Sequence, residues 1–190
     1  CATMTTYVLH GGGMHDNPAD QKKFYEFLAG ILGEQGSLLN VYFAVPEGDL
    51  LPERLAEDKV AEAKYLTGVA VEIATPKDFL EQIDRNDVIY LKGGDAFILL
   101  KALEAYPGLE NAFNNQTVIG NSAGAYVLCR NFYSNDEQRI ASGLGFVDTN
   151  IICHYRPDAH EMVMSKLARY QENHWPMLLL SEGFFVSITK

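Results

Sequence analysis

What this chain lacks narrows its possibilities first. It has only three cysteines, Cys1, Cys129 and Cys153, which cannot all pair internally and fall in no CxxC or Cys/His ligand spacing. That argues against a disulfide framework and a structural zinc site, and points to a reducing compartment. Cations are scarce: 15 Lys and Arg stand against 25 Asp and Glu, a formal net charge of −10, with no basic cluster that could track phosphates. Nucleic acid and anionic membrane are therefore poor partners. No apolar run is long enough to span a bilayer, and the N-terminus has no basic segment followed by an apolar one. The expected location is the cytoplasm. Cys-Ala-Thr ahead of Met4 reads as an addition before a native start. Linkers, repeats and low-complexity tracts are missing as well, and 190 residues with 47% hydrophobic content suit a single globular domain over 1–190.

Apolar spacing then sets out a repeating order. Residues 5–9 read as a strand, and a helix follows over 17–32, with Asn17 as cap, Pro18 at the first helical position and Phe24, Phe27, Leu28, Ile31 and Leu32 on one face. Strand 38–45, helix 52–66 closed by Gly68, strand 69–74, capped helix 75–83, strand 87–91, helix 96–106 and strand 117–120 continue the pattern. Such alternation predicts an α/β fold, a doubly wound, mostly parallel sheet with helices on both faces. The strands VIYL and TVIG are apolar without alternation, as central parallel strands are. Functional loops are expected at their C-terminal ends. Beyond residue 130 the pattern predicts one or two strands within 143–155, a helix over 160–170, and closing strands at 177–180 and 184–189.

Between one such strand and a helix stands Gly120-Asn121-Ser122-Ala123-Gly124, a G-x-S-x-G sequence in the context a nucleophile elbow requires. Glycines on either side let strand and helix cross closely, and the Ala123 amide would face an oxyanion formed beside the serine. The competing reading makes Ser122 a plain helix N-cap. Of the five histidines, His10, His15, His154, His160 and His174, His154 is the best placed as a base, because NIICHY sets it at the end of an apolar strand. Glu182, after another apolar strand, and Asp136, in YSNDEQR, compete as the acid that orients the imidazole. YLKGGDAF offers a second oxyanion donor, the amide of Gly94 or Asp95. It carries neither a dinucleotide glycine pattern nor a Walker lysine pattern. HGGG at 10–13 resembles an α/β-hydrolase oxyanion string, but it follows the first strand, and the order Ser, His, Glu is not that of those enzymes. It reads as a glycine-rich turn lining the same cleft.

These residues resemble the serine peptidases of dipeptidase E (aspartyl dipeptidase) and cyanophycinase. The resemblance runs from about the fourth strand to the end, through VIYLKGGDAFILLKAL, VIGNSAGAYVLC, GLGFVDTNIICHY and LLLSEGFFVSI. The earlier part matches only in its βα layout. GNSAGA with a downstream LSEG is the specific signature.

The resemblance implies Ser122 as nucleophile, His154 as base and Glu182 as triad acid, with Asp136 matching an aspartate also assigned a catalytic role. It implies Gly94 and Ala123 as oxyanion amides, a fold similar to class I glutamine amidotransferases, short peptides as substrate, and no metal or organic cofactor. The chain departs from aspartyl dipeptidases in YRPDAHEMVM, which is shorter than their loop. There His160 aligns near the arginine that pairs with the substrate's aspartate, and Arg156 is the other candidate for that contact. The chain also ends where relatives usually continue with further strands, as a compact variant or a shortened chain would. Two other functions fit the same residues: an esterase or amidase on another small acyl substrate, and a non-catalytic domain that binds a small molecule.

Overall fold

A computed structural model describes residues 4–46, 48, 50–167 and 175–190. Cys1, His174 and the end of the helix expected over 160–170 lie outside the described residues. Five strands, β1 (Thr6–His10), β2 (Ser37–Val41), β3 (Ala70–Ile73), β4 (Val88–Leu91) and β5 (Thr117–Asn121), run parallel in the order β1-β5-β4-β2-β3. Between them come α1 (Pro18–Leu32), α2 (Leu50–Tyr65), α3 (Phe79–Asp84), α4 (Ala96–Glu104) and the short α5 (Leu109–Ala112). The last strand, β10 (Phe185–Thr189), closes this sheet antiparallel to β1.

Successive residues of a central strand point to opposite faces, so an all-apolar strand supplies two cores. Val8, Val88 and Tyr90 pack with Phe24, Leu28 and Ala61 of α1 and α2. Leu9, Ile89 and Leu91 pack on the other side with Phe79, Leu99 and Leu103 of α3 and α4. The start of α1 follows its sequence: Asn17 Oδ1 accepts from Ala19 N at 3.0 Å, with Pro18 opening the helix. Ile31 departs from the expected buried face and is exposed.

The chain after β5 differs most from the alternation. The helix α6 (Ala123–Leu128) is short and passes straight into β6 (Cys129–Ser134), which with β7 (Arg139–Ser142), β8 (Val147–Ile152) and β9 (Met177–Leu179) builds a second sheet, ordered β7-β6-β8-β9. Strands β6, β8 and β9 are parallel. A 3₁₀ turn at Pro157–Ala159 leads into α7 (His160–Leu167). Other boundaries move inward: β2 stops at Val41 rather than 45, α3 starts at Phe79 after a turn rather than at 75, and α4 ends at Glu104. Cys129 and Cys153 are buried and unpaired, and burial pushes both thiols above their ordinary pKa. Among the described residues no helix is long and apolar enough to cross a membrane.

Candidate active site

Three neighbouring strands of the first sheet, β1, β5 and β4, end in the turns after His10, Asn121 and Leu91, so three loops converge on one point. Ser122 sits at its centre, between β5 and α6, with φ 50° and ψ −105°, a conformation that a side chain rarely adopts. It is held by Ser122 N donating to His10 O at 3.0 Å and by Tyr126 N donating to Ser122 O at 2.9 Å. Close crossing of β5 and α6 explains the glycines. A Cβ on Gly120 would run into the backbone of Gly124 and Ala125, and one on Gly124 into the Leu91 carbonyl. The Ser122 side chain makes no capping hydrogen bond. Its Oγ lies 2.9 Å from His154 Nε2 instead.

His154 and Glu182 come from the second sheet, two residues after β8 and three after β9, and β8 and β9 are paired neighbours. His154 also has a positive φ, 52°. Its amide donates to Gly11 O at 2.9 Å, and the preceding carbonyl, Cys153 O, accepts from Asn135 Nδ2 at 2.8 Å and from the Tyr126 hydroxyl at 3.3 Å. On the far edge of the ring, Nδ1 lies 2.8 Å from Glu182 Oε1. With Nδ1–H donating to the carboxylate, Nε2 is free to accept the Ser122 proton. Glu182 is 56% exposed and His154 36%, so this pair sits in a partly wet environment.

Asp136 lines the same cleft from the β6–β7 turn but makes no hydrogen bond or ion pair with His154. Of the two candidate amides after β4, Asp95 N already donates to Ala44 O at 2.8 Å, and the Asp95 carboxylate caps α4 at Phe97 N and Ile98 N. Among the described residues, Gly94 N and Ala123 N have no acceptor within the protein. Gly94 has φ 149°, and a Cβ there would strike Ala44 O, so only glycine turns the chain at this point. Arg156 lines the cleft, with its Nε 3.5 Å from Asp158 Oδ1. His160 does not line it: its Nδ1 is 2.7 Å from the Tyr155 hydroxyl.

HGGG, expected as a cleft-lining turn, also seams the two sheets. Gly11 O accepts from His154 N, Gly12 O accepts from Gly183 N at 3.0 Å, and Gly11 N donates to Phe184 O at 2.9 Å. A Cβ at Gly12 would occupy the place of the His154 ring, and one at Gly13 would lie 2.8 Å from Glu182 Cδ. No local signal shows this, because the partners are remote in sequence.

His10 itself is fully buried between Phe24 and Phe185, with Nδ1 3.0 Å from Gly12 N and 3.1 Å from Asn121 Oδ1, and Nε2 without a partner among the described residues. Burial pushes its pKa down to about 4, against the ordinary 6.5. Between those values the unfolded chain binds a proton that the native ring does not, so stability present above pH 6.5 is lost as pH falls toward 4. The expected loss is up to about 3 kcal/mol. Urea unfolding at pH 7 and pH 4.5 measures it, and a His10→Asn variant is expected to lose that part of the slope.

The cleft consists of two cavities that meet at Ser122, His154, Gly94 and Asp136. One, about 420 Å³, is bordered by Phe97, Tyr126, Asn135, Glu137, Met162 and Glu182. The other, about 370 Å³, opens toward α2. Comparison with known proteins gives a match between residues 57–190 and the sequence model of peptidase family S51. No curated protein matches the chain. Among solved structures, the chain is similar to the crystal structure of a peptidase from an acI-B1 Actinobacterium, at 19% sequence identity and a TM-score of 0.68, over 99% of this chain and 84% of that one. That likeness supports the mixed α/β fold.

Proposed function

The chain belongs to peptidase family S51, the serine peptidases of dipeptidase E and cyanophycinase, and from that premise we propose that it hydrolyses short peptides, dipeptidase E-like, through an acyl-enzyme on Ser122. The observation that carries the reading is the relay from Ser122 Oγ to His154 Nε2 at 2.9 Å and from His154 Nδ1 to Glu182 Oε1 at 2.8 Å. His154 takes the hydroxyl proton as Oγ attacks the peptide carbonyl, and Glu182 stabilises the imidazolium. The amides of Gly94 and Ala123 hold the oxyanion, a contribution typically worth about 3 kcal/mol per donor. Collapse breaks the C–N bond, His154 Nε2–H passes its proton to the departing amine, and an ester on Ser122 remains. Water, deprotonated by His154, then attacks that ester, the C–Oγ bond breaks, and His154 returns the proton to Ser122 Oγ as the acid product leaves.

Specificity for an N-terminal aspartate does not follow automatically, because His160 is engaged by Tyr155 and Arg156 by Asp158. The site is proposed to work in the cytoplasm, where the unpaired Cys129 and Cys153 suit a reducing milieu. The test is a dipeptide panel, Asp-Leu, Glu-Leu, Asn-Leu, Ala-Leu and Arg-Leu, incubated with the protein and with Ser122→Ala, the released amino acids being read by mass spectrometry. Cleavage of at least one member that disappears in the variant supports the reading. An intact panel, with hydrolysis of short esters instead, overturns it in favour of an esterase.

A further inference from the structure

The carboxylates Asp136, Glu137 and Glu182 border one cavity beside Ser122, and the cavity on its other side holds a cation that the hydrolytic relay does not use. That second cavity lies between the turn after β1, the loop after β4 and the N-terminal half of α2. Its titratable lining is Arg54, His15, His154, Asp16, Glu57 and Asp136. Glu57 faces His15, at 3.5 Å from Oε2 to Nδ1. Half-buried Arg54 has no carboxylate within ion-pair distance among the described residues, and its hydrogen bond goes from Nη1 to Gly93 O at 3.4 Å. A guanidinium fork with no carboxylate partner among the described residues, set beside a reactive centre, suits a planar carboxylate that arrives with the substrate.

We propose that Arg54 binds the C-terminal carboxylate of the residue that leaves, so that the second cavity admits one residue with a free carboxyl end; this rests on the serine peptidase reading. The covalent geometry sets that size. Gly93 O and Gly94 N–H belong to one trans peptide group and point in opposite directions. Arg54 therefore sits at the opposite edge of that peptide group from an oxyanion held by Gly94 N–H. Adding about 2.2 Å across the peptide and about 2.9 Å for the oxyanion hydrogen bond to the Arg54 contact puts the two roughly 8 Å apart. One residue spans about 3.5 Å, and with its bonds to the oxyanion and the guanidinium it covers that distance. Two residues overshoot it.

The charges set the direction. On the first side Arg156 is answered by Asp158, leaving carboxylates that suit the peptide's ammonium and repel its carboxyl end. Asp16 and Asp136 also line the second cavity and weaken its pull, so the expected discrimination is about tenfold rather than a hundredfold. Arg54 stands ahead of the residues that the family model matches.

The test binds Ala-Leu and Asp-Leu, each as the free acid and as the C-terminal amide, to the Ser122→Ala protein by NMR titration, and repeats it with Arg54→Met and Arg54→Lys added. At least one free acid is expected to bind about tenfold more tightly than its amide, with the ratio near one in Arg54→Met and intermediate in Arg54→Lys. Thermal melting checks that each variant folds. Equal binding of acid and amide, a ratio that survives Arg54→Met, or no binding of either form overturns the proposal. Turnover by the wild-type protein is scored separately: if it cleaves neither form while the acid-over-amide ratio holds and depends on Arg54, the hydrolytic reading falls and the carboxylate site stands.

Discussion

Replacing Ser122 by alanine is expected to lower kcat on any dipeptide the protein cleaves by about 10⁴-fold or more, to the residual level that binding and the oxyanion amides support. The same assay decides between the two acids. Glu182 Oε1 is 2.8 Å from His154 Nδ1, so Glu182→Gln removes the charge that steadies the imidazolium and favours the wrong tautomer. Because Glu182 is 56% exposed, water replaces part of its effect, and a fall of about 10²- to 10³-fold is expected rather than the 10⁴-fold of a buried triad acid. Asp136, with no bond to the ring, is expected to cost less than tenfold as Asp136→Asn. If Asp136→Asn is the more damaging of the two, the acid's role belongs to Asp136. Labelling of Ser122 by a fluorophosphonate, retained in Asp136→Asn and slowed in Glu182→Gln, gives the same answer without a peptide.

The elbow is legible in the sequence because three local requirements coincide within a few residues: an apolar strand, two small residues where strand meets helix, and a hydroxyl between them. His154 and Glu182 are legible for a related reason, each standing just past a short apolar strand. Of the second sheet, β8 and β9 are legible as strands, but β6, and with it the existence of a separate sheet, is not. Leu128 passes into Cys129 with no glycine, proline or polar break, and an apolar helix face and a buried strand ask for the same residues there. Asp95 shows the limit at the level of a single atom. Its amide looks available in sequence, but it is taken by Ala44 O, a partner in the turn after β2 that no local pattern reveals. The glycines of HGGG are equally mute, since what they make room for, His154 and Glu182, arrives from the far end of the chain.

Lys92 is the residue whose environment is least expected from sequence, and removing it is predicted to have the largest effect on stability. A lysine at a strand end and acids in a charged helix are ordinarily solvated. Here α2 lies over the end of β4, and Lys92, Asp58 and Glu62 are buried together, the lysine and aspartate side chains each 6% exposed. Lys92 Nζ is 3.1 Å from Asp58 Oδ2 and 3.9 Å from Glu62 Oε1, and sits 3.9 Å above the Tyr90 ring. Tyr42 donates to Asp58 at 2.6 Å and Asn40 to Glu62 at 2.6 Å. Burial lowers the Lys92 pKa, opposed by the two carboxylates, and raises that of Glu62, opposed by the lysine. Lys92→Met would leave two buried carboxylates without their cation, a loss of about 3 to 5 kcal/mol. For a chain of this size that lowers Tm by about 10 °C. The sign with pH is also set. Burial already raises the Glu62 pKa and Lys92 opposes that rise, so in the variant Glu62 binds a proton more readily in the native state than in the unfolded chain, and the deficit is expected to shrink at pH 5 and grow toward pH 8. Adding Asp58→Asn should recover part of the loss, because it removes the charge that lost its partner. Thermal melts of the three proteins at both pH values measure this, and a deficit independent of pH would mean that packing rather than charge is what Lys92 contributes. Since Lys92 directly precedes Gly93 and Gly94, the same network fixes the strand end from which the proposed oxyanion amide projects, tying the stability of β4 to the geometry of the cleft.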